Sequence, residues 1–306
     1  MTMAFVPQSA TSEAHDTRTA TCRLAVLLTC HNRRQATLRC LAAVDGQRLP
    51  ERLLVSVFLL DDGSTDGTGE MVGRTYPQVR LLEGSGDLFW CGGMRQAFAK
   101  AMQEDFDYYV WLNDDTILHP QGLNMLLSVA GNAGNGNIVV GTTTDPRTGQ
   151  PSYGGVKRRS RWHPFRFTLV VPGDRPVHCD TMNGNCVLVP RRVAQATGNL
   201  DPAFDHGFGD YDYGLRARRA GFGVLVAPGT VGTCPRNQRR LPWRDPALNW
   251  RQRWAAVTSR KGLPPREMMI YARRHGGPLW PLFWCMPYLR ALLLPTRRPV
   301  AVGKPL

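Results

Sequence analysis

Tyr108-Tyr109-Val110-Trp111-Leu112-Asn113-Asp114-Asp115 is an apolar run that ends in two adjacent carboxylates. A short apolar run bounded by polar residues reads as a buried strand. Two Asp at its end place concentrated negative charge at the rim of a sheet, where open α/β sheets hold their ligands. Neighbouring carboxylates repel each other and need strong solvation or a cation. A hard divalent metal carrying phosphate oxygens is one such cation; a solvated Asn-Asp-Asp turn is the plainer alternative.

The same pattern repeats on either side of this stretch. Apolar runs at Leu24–Leu28, Leu53–Leu60, Val79–Leu82 and Ile138–Val140 alternate with helical spacing over 34–45, 68–75, 92–104 and 120–129. The alternation predicts an α/β fold, a mostly parallel twisted sheet flanked by helices and joined by right-handed crossovers. Thr29, Asp61-Asp62 and Asn113-Asp114-Asp115 then fall at the carboxyl ends of three separate strands. The second half is less regular. Residues 141–180 are rich in Gly, Pro, Arg and Thr and form an excursion; Cys186–Val189 and Gly223–Ala227 read as further strands, and Asp205–Gly221 contains a helix.

Of the formal charge of +14, residues 236–306 contribute 15 Lys/Arg against 2 Asp/Glu, and residues 1–235 contribute 23 against 22. A basic C-terminal extension points to an anionic partner, either nucleic acid or the anionic surface of a membrane. The eight cysteines form no C-x-x-C pair, as expected for reduced thiols in a cytoplasmic protein. The N-terminus lacks a basic segment followed by an apolar one, so no signal peptide is expected. The organisation read from the sequence is an N-terminal arm over 1–21, a main domain over 22–235 and the basic extension over 236–306. Pro278–Pro295 is apolar but interrupted by Pro281, Pro287 and Arg290, too short and broken for a span of roughly 20 residues. It reads either as an interfacial segment at the inner face of the cell membrane or as a helix packed on the domain.

Several ordered motifs resemble the family 2 glycosyltransferases, inverting enzymes with the GT-A fold. The resemblance covers about residues 23–235. It rests on Leu27-Leu28-Thr29-Cys30-His31-Asn32-Arg33, on Leu60-Asp61-Asp62-Gly63-Ser64-Thr65-Asp66-Gly67-Thr68, on Leu112–Asp115, on Asn183-Gly184-Asn185-Cys186-Val187-Leu188-Val189-Pro190-Arg191, and on Phe208-Gly209-Asp210-Tyr211-Asp212-Tyr213-Gly214-Leu215-Arg216. Gly86–Met94 further resembles a rhamnosyltransferase-like subgroup. The resemblance implies transfer of a sugar from a nucleoside-diphosphate sugar, with dTDP-rhamnose the donor of the subgroup, to a hydroxyl of a glycan or lipid-linked glycan. That reaction belongs to cell-surface polysaccharide synthesis.

The chemistry of the residues fits those roles. A departing diphosphate builds negative charge that Mg²⁺ or Mn²⁺ stabilises as a Lewis acid. Asp115 is the expected metal ligand, with Asp114 near the donor sugar or ribose. The resemblance puts Asp62 on the imide N–H of a pyrimidine base and Thr29 in the same pocket. Trp90 is a candidate for stacking on sugar or base or an ordinary core residue, and Arg95 is a candidate for the diphosphate. Asp210 occupies the position of the general base that a weakly nucleophilic hydroxyl requires; a helix cap is its alternative role. Asp212 is a second candidate base or the start of the helix. His206 and Asn185 are candidates for the acceptor side. Two departures stand out: Gly209 replaces the Glu of the usual Glu-Asp pair, and Pro228–Cys234, the region where many relatives carry a metal-binding His, has none, which leaves the ion to Asp115, phosphates and water, or to Cys234 as a soft partner. A sugar-phosphate nucleotidyltransferase is the enzyme alternative, but strand one exits as Thr-Cys-His-Asn-Arg without a Gly-rich triphosphate loop. A basic nucleic-acid-binding protein is the other, but the basic region lacks the pattern of a reader module and acidic strand ends repel phosphate without metal.

Overall fold

The apolar runs become strands because each is covered on both faces. The computed structural model describes residues 21–160, 163–237, 242–245 and 247–294; the N-terminal arm, apart from Thr21, and residues 295–306 lie outside the described residues. Strands β1 (Cys22–Cys30), β2 (Leu53–Asp61), β3 (Arg80–Glu83), β4 (Tyr108–Leu112), β5 (Asn137–Val140), β6 (Val177–His178), β7 (Cys186–Pro190) and β8 (Gly223–Val226) form one sheet in the order β6-β8-β5-β7-β4-β1-β2-β3. Alternate residues face opposite sides, as the two-residue period of a strand requires. Leu27, Leu60, Trp111 and Val187 enter one core, and Leu28, Leu59, Leu112 and Leu188 the other.

The helices are α1 (Arg34–Asp45), α2 (Thr68–Thr75), α3 (Phe89–Ala101), α4 (Gly122–Asn132), α5 (Arg191–Thr197), α6 (Gly209–Arg219), α7 (Trp250–Thr258), α8 (Pro265–His275) and α9 (Trp280–Leu293). Met94, Ala97 and Phe98 of α3 and Tyr213 and Ala217 of α6 cover the first face. Cys40 and Leu41 of α1 and Leu123 and Leu126 of α4 cover the second.

The sheet is more mixed than the alternation predicts. β1–β2, β2–β3, β1–β4 and β5–β8 are parallel, but β7 runs antiparallel between β4 and β5, and β6 antiparallel to β8. The chain makes its excursion after β5, so β7 re-enters from the opposite end. Within the excursion, Gly155–Arg158, Phe167–Leu169 and Thr181–Met182 form a three-stranded sheet. Ile117–Leu118, Gly232–Thr233, Thr143–Thr144 and Pro151–Tyr153 form another of four short strands.

Helix α3 begins at Phe89, before the expected 92. The carboxylate of Asp62, on a different strand end, accepts the N–H groups of Leu88 (2.9 Å) and Phe89 (3.2 Å). A cap supplied from a distant residue leaves no local signal at the helix start.

Among its described residues the C-terminal extension carries α7, α8 and α9. Asn249 and Gln252 open α7 with a reciprocal capping box, and Pro265 opens α8 at a position where a missing N–H costs nothing. The apolar segment expected to be broken is one helix: α9 runs through Pro287. It packs on α7 and α8, burying Phe283, Tyr288 and Ala291 while Leu282, Leu289 and Leu293 stay exposed. Among the described residues no helix is long and apolar enough to cross a membrane.

Asp212 ties α8 to the sheet. Its carboxylate is fully buried and meets Arg216 Nε at 2.7 Å, Arg274 Nη1 at 3.0 Å and His275 Nε2 at 2.9 Å. Burial opposes its ionisation, but the hydrogen bonds from His275 and Arg216 override that and pull its pKa down to about 2. Burial lowers the His275 pKa, so the neutral imidazole donates through Nε2 to an ionised Asp212.

Candidate active site

The carboxyl ends of β1, β2 and β4 open into a cleft of about 1370 Å³. Thr29, Asp62, Trp90, Asp114, Asp115, Asn185, His206 and Asp210 all line it. The positions predicted from three strand ends and two later segments therefore converge, and the sheet register is the cause. Thr29 pairs with Leu60 in a parallel pair, and Leu112 with Cys186 in an antiparallel one, so Asp62, two residues past Leu60, emerges near Thr29, and Asn113 emerges beside Asn185, the residue before Cys186.

The acidic floor is organised by Arg33, which the candidate set did not include. One guanidinium nitrogen, Nη1, lies 2.8 Å from Asp114 Oδ1 and 2.9 Å from Asp115 Oδ2. It offsets the repulsion between the two carboxylates. Burial pushes the Asp114 pKa up to about 6; Arg33 opposes this and Asp115 adds to it. Arg33 follows Thr29 by four residues in the same motif, and that adjacency to the strand exit is the signal that could have found it. The other oxygen of Asp114, Oδ2, is buried and has no hydrogen-bond partner in the structure.

That orphaned oxygen, beside a second carboxylate, suits a hard cation such as Mg²⁺ or Mn²⁺. Among the described residues no third His, Cys, Asp or Glu completes a cluster, so phosphate oxygens and water would make up the remainder. Cys234 is placed beside Asp115 because Thr233 pairs with Ile117. Its thiol donates to Asp115 Oδ1 at 3.3 Å, and burial, with Asp115 adding to it, pushes its pKa up to about 12. The Cys234 thiol is thus a hydrogen-bond donor that orients Asp115.

Asp62 is 4% exposed and holds a loop as well as facing the cleft. Besides Leu88 and Phe89 it accepts the Gly86 N–H at 2.8 Å. Three donors leave about one of its roughly four acceptor positions for a ligand. Gly84 and Gly93 permit this close packing: a Cβ at Gly84 would lie 2.7 Å from Asp62 Oδ1, and one at Gly93 2.1 Å from Thr29 Oγ1. Trp90 lines the cleft and braces it, its indole N–H donating to Asn113 Oδ1 at 2.8 Å. A Cβ at Gly184 would strike the Trp90 ring at 2.3 Å, so the Asn183-Gly184-Asn185 turn needs its glycine to seat that ring.

Asp210 lines the same cleft from the first turn of α6. Its Oδ2 accepts the Gly184 N–H at 3.0 Å and its Oδ1 accepts the Tyr211 N–H at 2.8 Å. The cap position itself belongs to Phe208, in the left-handed region at φ 66°, a conformation that costs a non-glycine residue about 1–3 kcal/mol. Phe208 stacks on Tyr271 at 4.9 Å, which holds that backbone in place. His206 is exposed at the cleft edge, edge-on to Phe89 at 5.8 Å. Asn185 is 7% exposed, with its side chain turned to Cys234 Sγ at 3.5 Å.

Two candidates lie elsewhere. Asp212 follows Asp210 by two residues, about 200° around the helix, and points into the buried network with Arg216, Arg274 and His275. It is not a second base. Arg95 is five residues beyond Trp90, about 140° around α3. It is not among the cleft-lining residues, and its carbonyl accepts from Asn199 at 2.9 Å. Conversely, α8 and α9 contribute Met268, Tyr271, Phe283 and Arg290 to the cleft. Nothing local in their sequence showed that they fold back on the site.

The model of the Glycosyl transferase family 2 matches residues 25–191, more than half of the chain. An N-acetylglucosaminyl-diphospho-decaprenol L-rhamnosyltransferase of Mycobacterium tuberculosis is 28% identical over 199 residues, covering 57% of this chain and 64% of that relative's length. Among solved structures, a mannosyltransferase of Pyrobaculum calidifontis in complex with GDP-Man and Mn²⁺ superposes with a TM-score of 0.54 at 16% identity, covering 90% of this chain and 73% of that one. TarS of S. aureus, residues 1–349, superposes with a TM-score of 0.52 at 10% identity, covering 89% and 81%. At these identities the structural likeness is one of fold, a central sheet flanked by helices of the GT-A type.

Proposed function

Because this chain belongs to glycosyl transferase family 2, we propose that it transfers a sugar, with inversion, from a nucleoside-diphosphate sugar to a hydroxyl of a lipid-linked glycan. The observation that carries this reading is a single cleft lined both by Asp210 and by the Asp114-Asp115 pair that Arg33 gathers. Family membership sets aside the nucleotidyltransferase alternative.

In this mechanism Asp210 accepts the proton of the acceptor hydroxyl as that oxygen attacks the anomeric carbon from the face opposite the leaving diphosphate. The Gly184 and Tyr211 amides fix the carboxylate's position. Asp62 and Thr29 receive the nucleotide base, and Asp114 lies towards the donor sugar. Asp115, with Asp114, would hold Mg²⁺ or Mn²⁺, which supplies Lewis-acid stabilisation to the departing diphosphate. Trp90 and Asn185 shape the floor between donor and acceptor, and His206 flanks the acceptor side.

The name of the M. tuberculosis relative supports an L-rhamnosyl donor and a sugar-diphospho-polyprenol acceptor, in agreement with the Gly86–Met94 motif. The excess of Lys/Arg after residue 235 and the exposed leucines of α9 support work at an anionic bilayer surface, as a peripheral protein on its cytoplasmic face. The deciding experiment is a donor screen with Mg²⁺ or Mn²⁺ that reads nucleoside diphosphate release in the presence of a polyprenyl-diphospho-GlcNAc acceptor. The expected result is acceptor-dependent release of dTDP from dTDP-rhamnose. Release from no sugar nucleotide would overturn the reading.

A further inference from the structure

Away from the acidic floor, the same cleft has a half of opposite character. Arg166 and Arg290 line it together with Trp243, Phe283, Met286 and Pro287. His163 lines the same part of the cleft, its ring 5.1 Å from that of Phe283; burial, and then the charges of Arg166 and Arg290, lower its pKa. Both arginines are exposed, and neither has a carboxylate partner among the described residues, whereas the exposed Arg218 and Arg260 are paired with Asp180 and Asp87. Two guanidiniums without carboxylate partners, lining a cleft together with aromatic and aliphatic side chains, are a donor set suited to phosphate oxygens on an apolar stem.

The apolar wall continues out of the cleft. Leu282, Met286, Leu289 and Leu293 of α9 are spaced four, three and four residues apart, which puts them on one stripe of the helix. Met286 lines the cleft, while Leu282, Leu289 and Leu293 are 52%, 51% and 79% exposed. A chain lying on Met286 is therefore led onto an open apolar track.

We propose that Arg166 and Arg290 form a subsite for the diphosphate of a polyisoprenyl-diphosphate acceptor, whose hydrocarbon chain leaves over Met286 and the leucine stripe of α9. This deepens the lipid-linked reading given above and rests on it for the sugar that follows the diphosphate. Nucleic acid fits the groove less well, since its phosphates carry no aliphatic stem for Met286 and Phe283 to cover.

The test uses the full chain and farnesyl diphosphate as a sugar-free probe, titrated calorimetrically. Binding is expected to weaken at least tenfold in an Arg166→Gln/Arg290→Gln double variant, while dTDP binding in the presence of Mn²⁺ stays within twofold of the parent. Inorganic pyrophosphate is expected to bind at least tenfold more weakly than farnesyl diphosphate. Equal affinity of parent and double variant for farnesyl diphosphate, its displacement by dTDP, or parallel loss of dTDP binding would each overturn the subsite. Equal affinity for pyrophosphate would remove the apolar track. The two readings fail separately. A chain that binds farnesyl diphosphate through these arginines but transfers no sugar rejects the transfer reading alone. A double variant with an unchanged KM for the lipid-linked acceptor rejects the subsite alone.

Discussion

The two halves of the cleft are built in different ways. The donor half is a set of strand ends: β1, β2 and β4 deliver Thr29, Asp62, Asp114 and Asp115 to one rim, and β7 brings Asn185 beside them. Its charge is negative and gathered around one arginine. The acceptor half is made of α8, α9 and the excursion, and carries unpaired positive charge among aromatic rings. The lesson is one of division of labour. A rigid sheet edge fixes the groups that need the tightest placement, and helices added after the sheet shape the space for the larger partner.

Three substitutions sharpen this contrast. The largest effect is expected at the donor floor. Asp114→Asn/Asp115→Asn leaves Arg33 without its anions, and Mn²⁺-dependent dTDP binding, followed by calorimetry, should fall about 100-fold, in the range seen when metal-site partners are lost. Undiminished Mn²⁺ dependence would show that the cation is held elsewhere.

The next concerns the joint between the halves. Asp212→Asn strands Arg274 and Arg216 without their buried anion, and chemical denaturation should show a loss of about 3–5 kcal/mol. Asp212 titrates in the fold at about 2, below its ordinary 3.8, so its contribution is complete above about pH 4 and disappears as pH falls through 2. The stability gap between parent and variant should therefore close over that interval. His275 also has a depressed pKa, so its neutral form stabilises the fold above 6.5, and that contribution is lost on acidification below it. A gap that stays constant down to pH 2 would argue against an ionised Asp212.

The smallest effect is expected on the outer stripe. Leu282→Ser/Leu289→Ser/Leu293→Ser alters exposed positions, so the melting temperature should hardly move. Sedimentation with vesicles containing anionic lipid should drop several-fold, since each leucine gives up apolar contact worth about 1 kcal/mol or more. Unchanged sedimentation would remove α9 from the membrane account.

The convergence of the strand ends was largely legible in the sequence, because a buried strand is a continuous apolar run and its polar exit marks the rim. The placement of Thr29, Asp62, Asp114 and Asp115 in one cleft needed only that rule and the ordered motifs. The misreadings have local physical causes. The start of α3 was set by Asp62, twenty-seven residues before Phe89. The roles of Asp212 and Arg95 depended on helical phase relative to a cleft whose direction the sequence does not give. The excursion hid the reversal of β7, and an interior proline made α9 look broken although tertiary packing carries the helix through it. The acceptor wall was the least legible part. Its residues come from segments more than a hundred positions apart, and their shared lining of one cleft depends on how α8, held by the buried Asp212 network, and α9 fold back.

The central claim is that this cleft performs base-assisted sugar transfer with Asp210 as the base between its two halves. Asp210→Asn keeps the shape of the side chain and one of its two backbone hydrogen bonds, since an amide nitrogen cannot accept, while removing its ability to take a proton. Assayed side by side with the parent for dTDP-rhamnose-dependent transfer and for dTDP binding, the variant should lose transfer by about 10²–10⁴-fold, the range of general-base catalysis, and bind dTDP within twofold of the parent. A variant that turns over at the parental rate would contradict the account.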